Sequence, residues 1–134
     1  MSTKRILILE DDLRTLEVLM RELASLEGRL SKQGVDLSVM VMSEYTQVEK
    51  YLESVSSEDF DLMLLDRDCK AGGSFHVFDI EAFGASRVIS ISSVPEYNRQ
   101  AEERGVAVSL HKDYSKIDVF GSKLIGLVET HLRV

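Results

Sequence analysis

Five short, nearly continuous apolar runs at residues 6–9, 39–42, 62–65, 88–91 and 106–110 restrict most strongly what this chain can fold into. Each is strand-length and dominated by Val, Ile, Leu or Met rather than alternating with polar residues. That is the pattern of strands buried on both faces, as in a parallel sheet covered by helices. Helical spacing fills the gaps. Leu16, Leu19, Leu23, Leu26 and Leu30 recur at three- and four-residue steps, and Ile117, Phe120, Leu124, Leu127 and Val128 draw a second stripe near the end. Val48, Tyr51 and Leu52 mark a shorter helix that Ser43 is placed to cap. Ser93 and Glu96 form a candidate capping box, with Pro95 suited to a first helical turn. The remaining helix has to lie within residues 74–83, behind a loop at 69–73. Strands and helices in strict alternation predict an α/β fold, an open, doubly wound parallel sheet with helices on both faces.

Composition narrows the class. At 134 residues the chain is one domain, spanning 1–134. With 44% apolar and 29% charged residues it is neither a disordered tail nor a membrane protein. No apolar run approaches the roughly 18–20 residues of a spanning helix, and the first residues lack a signal-peptide core, so no membrane insertion is expected. The single cysteine, Cys69, excludes an internal disulfide framework and fits a reducing, cytoplasmic setting. A formal charge of -7 argues against a nucleic-acid partner, which needs a basic surface.

In doubly wound sheets the chemistry lies at the carboxyl ends of the strands, near the switch in strand order. Here the first run leads into Glu10, Asp11 and Asp12, and the third into Asp66 and Asp68. The fourth ends in Ser92 and Ser93, and the fifth is followed by His111, Lys112 and Asp113. Converging carboxylates repel, at about 4 kcal/mol for two unit charges 4 Å apart at an effective dielectric of 20. Such a site must protonate one, hold a cation or splay the side chains. Oxygen donors without His or Cys favour Mg²⁺ or Mn²⁺ over zinc. Carboxylate, divalent cation, hydroxyl and lysine together are the parts for handling a phosphoryl group.

In this order, ILILEDD, DLMLLDRD, VISISS and VSLHKDY make the chain resemble a stand-alone receiver domain of the two-component response-regulator family. The likeness covers essentially the whole chain. It implies a flavodoxin-like sheet of strand order 2-1-3-4-5. It also implies that Asp66 accepts a phosphoryl group, that Asp11 ligates Mg²⁺ directly with Glu10 acting through water, and that the backbone carbonyl of Asp68 is a further ligand. By the same likeness Ser92 hydrogen-bonds a phosphoryl oxygen after transfer. Lys112 pairs with the Asp66 carboxylate before transfer and with the phosphoryl group afterwards. The implied partners are a sensor histidine kinase or phosphotransfer protein and an output protein, with homodimerisation through the fourth and fifth helices as a further route. No output domain is expected beyond the fifth helix.

The sequence departs from that family at four places. RDCKAG stands where a Met-Pro pair is usual, and Asp68 adds a carboxylate two residues past Asp66. That carboxylate can tighten the cation, repel the phosphoryl group or alter its hydrolysis. Asp113 replaces the usual proline after the lysine. A cis bond before a non-proline residue costs about 3–4 kcal/mol, so that loop is expected to differ. Ser109 stands where the family carries a switching Tyr or Phe.

Simpler roles compete with these. Asp11 and Asp12 also suit a plain helix start. Ser90 and Ser93 both lie near Ser92, and a shift of the strand end by one residue would hand its role to Ser93. Cys69 is given no function, the scattered His76, His111 and His131 read as surface or packing residues, Met40, Met42 and Met63 as core filler, and Tyr114 as packing, with cover of the pocket edge as its alternative. Two other functions stay open: a pseudo-receiver that docks without phosphorylation, and, from Asp66-Arg67-Asp68, a phosphohydrolase resembling the haloacid-dehalogenase type. A receiver is not an enzyme beyond its own phosphorylation and dephosphorylation.

Overall fold

Strand and helix alternate along the chain in the computed structural model, which describes residues 2–56, 59–68 and 80–132. In order these are β1 (Ser2–Leu9), α1 (Leu13–Ser31), β2 (Val35–Met42), α2 (Tyr45–Glu53), β3 (Leu62–Asp66), α3 (Ile80–Phe83), β4 (Val88–Ser92), α4 (Pro95–Glu103), β5 (Val108–His111) and α5 (Ile117–Leu132). The five strands form one sheet in the order β2-β1-β3-β4-β5, every neighbouring pair parallel. The strand order thus switches between β1 and β3, which brings their carboxyl ends side by side. Of the stretch expected to hold the third helix, only α3 lies within the described residues; Cys69 and His76 lie outside them.

Two apolar layers sandwich the sheet. Ile6, Ile8, Leu62, Leu64, Ile89 and Ile91 point to one side, where α1 and α5 cover them with Leu19, Leu23, Phe120 and Leu124. Leu7, Leu9, Met63, Leu65 and Val88 point to the other, against Val48 and Leu52 of α2 and Ile80 of α3. Each central strand therefore buries both faces, as continuous apolar runs predict. In α1 the buried stripe runs through Thr15 and Val18 to Leu30, with Leu16 at its rim. Helices α1 and α5 meet closely at Gly121, where an added Cβ would collide with the Val18 Cγ1 methyl.

β2 departs from the expected pattern. It is an edge strand paired only with β1, and Val39, Met40 and Val41 are 36%, 37% and 40% exposed. Met40 is accordingly not core filler, whereas Met42 is half-buried against the core layer under α2 and Met63 lies fully within it. The helices cover this edge strand only in part: Val35, Leu37 and Met42 pack against the two core layers, while residues 39–41 stay open to solvent. Both caps read near α2 and α4 also differ. Glu44, not Ser43, begins α2, its N–H donating to the Gln47 side-chain carbonyl at 3.2 Å. Val94 begins α4 without a side-chain cap, leaving Pro95 in the first turn as expected. Ser93 lies one residue before the helix start, with its N–H and side chain turned to Asp68 instead.

Candidate functional site

At the carboxyl edge of the sheet, β1, β3, β4 and β5 deliver Glu10, Asp66, Ser92 and Lys112 to one place. All four are buried, at 1%, 0%, 0% and 1% exposure. The parallel register explains why: Asp66 lies opposite Ile91 and Ser92 opposite His111, so the strands end level. Carboxylate oxygens of Glu10, Asp11 and Asp66 lie within 4.8 Å of one another. Asp12 turns away and caps α1, accepting from the Thr15 N–H at 2.9 Å and the Thr15 hydroxyl at 2.6 Å. The acidic run after β1 thus divides its work: Asp12 has the helix-start role and Glu10 and Asp11 face the cluster.

Lys112 is the cation inside this cluster. Its Nζ donates to Glu10 Oε1 at 2.6 Å and to Asp66 Oδ2 at 3.5 Å. The other Glu10 oxygen, Oε2, accepts from the Asp11 and Asp12 N–H groups, each at 3.0 Å. Burial and the Glu10 charge push the Asp66 carboxyl up to about 8, against the opposing pull of Lys112 and the Asp68 N–H. Burial acts to lower the Lys112 ammonium, but the Asp66 and Glu10 charges outweigh it and hold it above its ordinary value. One lysine does not balance three converging carboxylates. An all-oxygen donor set with excess negative charge fits a hard divalent cation, which Glu10, Asp11 and Asp66 are placed to hold.

Asp68 behaves in a way the sequence left open. Its N–H donates to Asp66 Oδ1 at 2.9 Å, and its carboxylate turns to β4. There Oδ1 accepts from the Ser92 hydroxyl at 2.7 Å and Oδ2 from the Ser93 N–H at 2.6 Å. Burial raises the Asp68 carboxyl, yet these hydrogen bonds outweigh it and hold the group below the ordinary aspartate range. Ser92 brings its hydroxyl to Asp68 and Ser93 brings both its backbone N–H and its side chain, while Ser90 is buried within β4.

The folded chain can also be set beside known structures. No protein-family model matches the sequence, and no curated protein matches it. A response regulator from Hahella chejuensis superposes with a TM-score of 0.72 at 14% identity, over 98% of this chain and 96% of that one. An orphan response regulator of H. pylori gives a TM-score of 0.65 at 19% identity, over 97% of each chain. The fold is that of a response-regulator receiver domain. The Mn²⁺-bound form of the response regulator Rcp1 is similar as well, with a TM-score of 0.66 at 17% identity over 95% of this chain and 92% of that one.

Beside the receiver fold's acidic cluster lies one residue whose role pattern reading passed over. Arg67 is buried, its Nη1 donating to Gln100 Oε1 at 3.0 Å and its guanidinium lying 4.2 Å from the centre of the Tyr97 ring. It ties the end of β3 to α4. A charged residue between two aspartates at a buried strand end is the signal that could have flagged it. Ser109, at the position where an aromatic is usual, donates from its hydroxyl to Glu102 Oε1 at 2.5 Å and links β5 to α4. Tyr114 is half exposed at the mouth of the site, with Lys112 Nζ 4.9 Å from its ring centre, rather than a packing residue. Asp113 begins a short turn over Tyr114–Lys116 by accepting from the Ser115 N–H at 3.0 Å. His131 packs on its own helix, its Nδ1 2.8 Å from the Leu127 carbonyl oxygen. Among the described residues no helix is long and apolar enough to cross a membrane.

Proposed function

We propose that this chain is a phosphoryl-accepting receiver in which Asp66 is the acceptor and Glu10, Asp11, Asp66 and the Asp68 carbonyl hold Mg²⁺. The observation that carries the reading is the convergence of a buried carboxylate, two further acids, a hydroxyl and a lysine at the sheet's topological switch. A bound divalent cation supplies the positive charge that lets Asp66 ionise and that offsets charge on a transferring phosphoryl group. An Asp66 carboxylate oxygen attacks phosphorus of the donor. The oxygen–phosphorus bond forms as the bond from phosphorus to the donor's leaving atom breaks, and a leaving imidazole then takes a proton from solvent. Lys112 balances charge on the carboxylate and then on the phosphoryl oxygens, and Ser92 donates its hydroxyl to one of them.

The donor is a histidine kinase or a phosphotransfer protein. Output passes through protein contacts or homodimerisation on the face of α4, β5 and α5, in the cytoplasm. The test is intact mass after incubation with acetyl phosphate and Mg²⁺, beside Asp66→Asn. One phosphoryl group gained by the wild type, and lost with the substitution or without Mg²⁺, is the expected result. Repeated phosphate release would instead favour the phosphohydrolase. That reading needs Asp68 to carry a proton, whereas Ser92 and Ser93 hold its carboxylate ionised. A phosphorylation-independent docking module is the second reading, and the Asp68–Ser92 contact favours it.

A further inference from the structure

Asp68 sits on the donors that a phosphoryl oxygen would need. A hydroxyl has one hydrogen to give and a backbone amide has one. The Ser92 hydroxyl hydrogen goes to Asp68 Oδ1 and the Ser93 N–H to Asp68 Oδ2, so one carboxylate takes both. The Ser92 oxygen is also engaged as an acceptor, from the Val94 N–H at 2.9 Å at the start of α4. We propose that the Asp68 carboxylate is a resident anion for the Ser92–Ser93 donor pair, holding the serine inward without phosphorylation and barring outside anions until it is displaced. The inference rests on the proposed function in taking the Ser92 hydroxyl as a donor to a phosphoryl oxygen, and adds the neighbouring Ser93 N–H to that site.

Local geometry explains why Asp68 can do this. Its own N–H bonds back to the Asp66 side chain two residues earlier, an Asx-type turn that bends the chain as it leaves β3. The turn carries the Asp68 side chain across to β4, where Ser92 and Ser93 end the neighbouring strand. Arg67, packed on Tyr97 and Gln100, fixes the same segment to α4 from the other side. The start of α4 is then tied to the Asp68 contact by two further bonds: Val94 N–H to the Ser92 hydroxyl, and the Asn98 side-chain amide to the Ser92 carbonyl at 3.1 Å. Beyond the three effects open from the sequence, this geometry adds a fourth: the Asp68 carboxylate competes with the phosphoryl group for its donors.

The experiment compares the wild-type chain with Asp68→Ala by NMR, reading the Ser93 amide. Asp68→Asn, which keeps the side chain's size but cannot accept two hydrogen bonds in the same way, is the second variant. In Asp68→Ala the Ser93 amide is expected to exchange with solvent roughly tenfold faster, the scale of a lost hydrogen bond to a charged group. Inorganic phosphate, titrated with Mg²⁺ present, is expected to bind Asp68→Ala at least about tenfold tighter than wild type, with Asp68→Asn between them. Unchanged Ser93 exchange overturns the proposal, and so does equal phosphate affinity in the three proteins, including no binding to any. Failure of both wild type and Asp68→Ala to gain a phosphoryl group from acetyl phosphate overturns the proposed function instead. The phosphate comparison still stands in that case.

Discussion

Lys112 Nζ lies 2.6 Å from Glu10 Oε1, closer than its 3.5 Å approach to Asp66, and joins the last strand of the sheet to the first across 102 positions of sequence. Each partner is almost completely withdrawn from water. The likeness to receivers had paired this lysine with Asp66 alone. Its stronger hold on Glu10 makes it a structural counter-charge for the whole cluster.

Removing that counter-charge leaves two buried carboxylates facing each other. Lys112→Ala is therefore expected to destabilise the metal-free protein by about 3–5 kcal/mol, the cost of breaking a buried pair from one side. Urea unfolding measures it. A loss below about 1 kcal/mol would mean the pair behaves as a solvated surface bridge.

Asp66 sets the pH dependence. Its folded-state carboxyl is raised to about 8, while in the unfolded chain it titrates near 3.8. Between those values the folded state holds a proton that the unfolded chain has lost, so stability falls as pH rises. With a chelator present, wild type is expected to lose stability from about pH 5 to pH 8 relative to Asp66→Asn, which has no carboxyl there to titrate. A constant gap between the two melting curves across that range would contradict it.

Divalent cations should act on the same group with the opposite sign. A cation held by Glu10, Asp11 and Asp66 competes with the Asp66 proton, so its affinity is expected to rise with pH up to about 8 and then level off. At about 100 times its dissociation constant it should stabilise the fold by about 2.7 kcal/mol. Calorimetry in buffers of different ionisation enthalpy checks for the released proton. Asp11→Asn should weaken binding without removing the Lys112–Glu10 pair.

Far from the site, Gly121→Ala probes the seam between α1 and α5. The new methyl would overlap Val18, whose β-branched side chain has little rotamer freedom in a helix. A loss of about 1–3 kcal/mol is expected from overpacking. Val18→Ala in the same chain should recover part of it, by opening the space. The exposed ion pairs along this seam, Arg21–Asp118 at 2.7 Å and Arg29–Glu129 at 3.1 Å, should each contribute under about 1 kcal/mol.

The amino-acid pattern by itself determined the class of fold. Continuous apolar runs require strands covered on both sides, and helical stripes between them provide the cover, so alternation, layer order and the active edge all follow from local periodicity. It also brought forward Glu10, Asp11, Asp66, Ser92 and Lys112, because strand ends in such a sheet share one edge. Three matters were decided only by the tertiary structure. Edge position left Val39, Met40 and Val41 exposed, since the run 39–42 looks locally like the central ones. The turn after β1 gave Asp12 to the helix and Glu10 and Asp11 to the cluster, a division that adjacent acidic residues cannot encode by type. The bend after Asp66 sent the Asp68 side chain to Ser92 and Ser93, 24 and 25 positions away in sequence. Periodicity reports the environment a residue needs, whereas a hydrogen-bond partner from another strand depends on where the backbone turns.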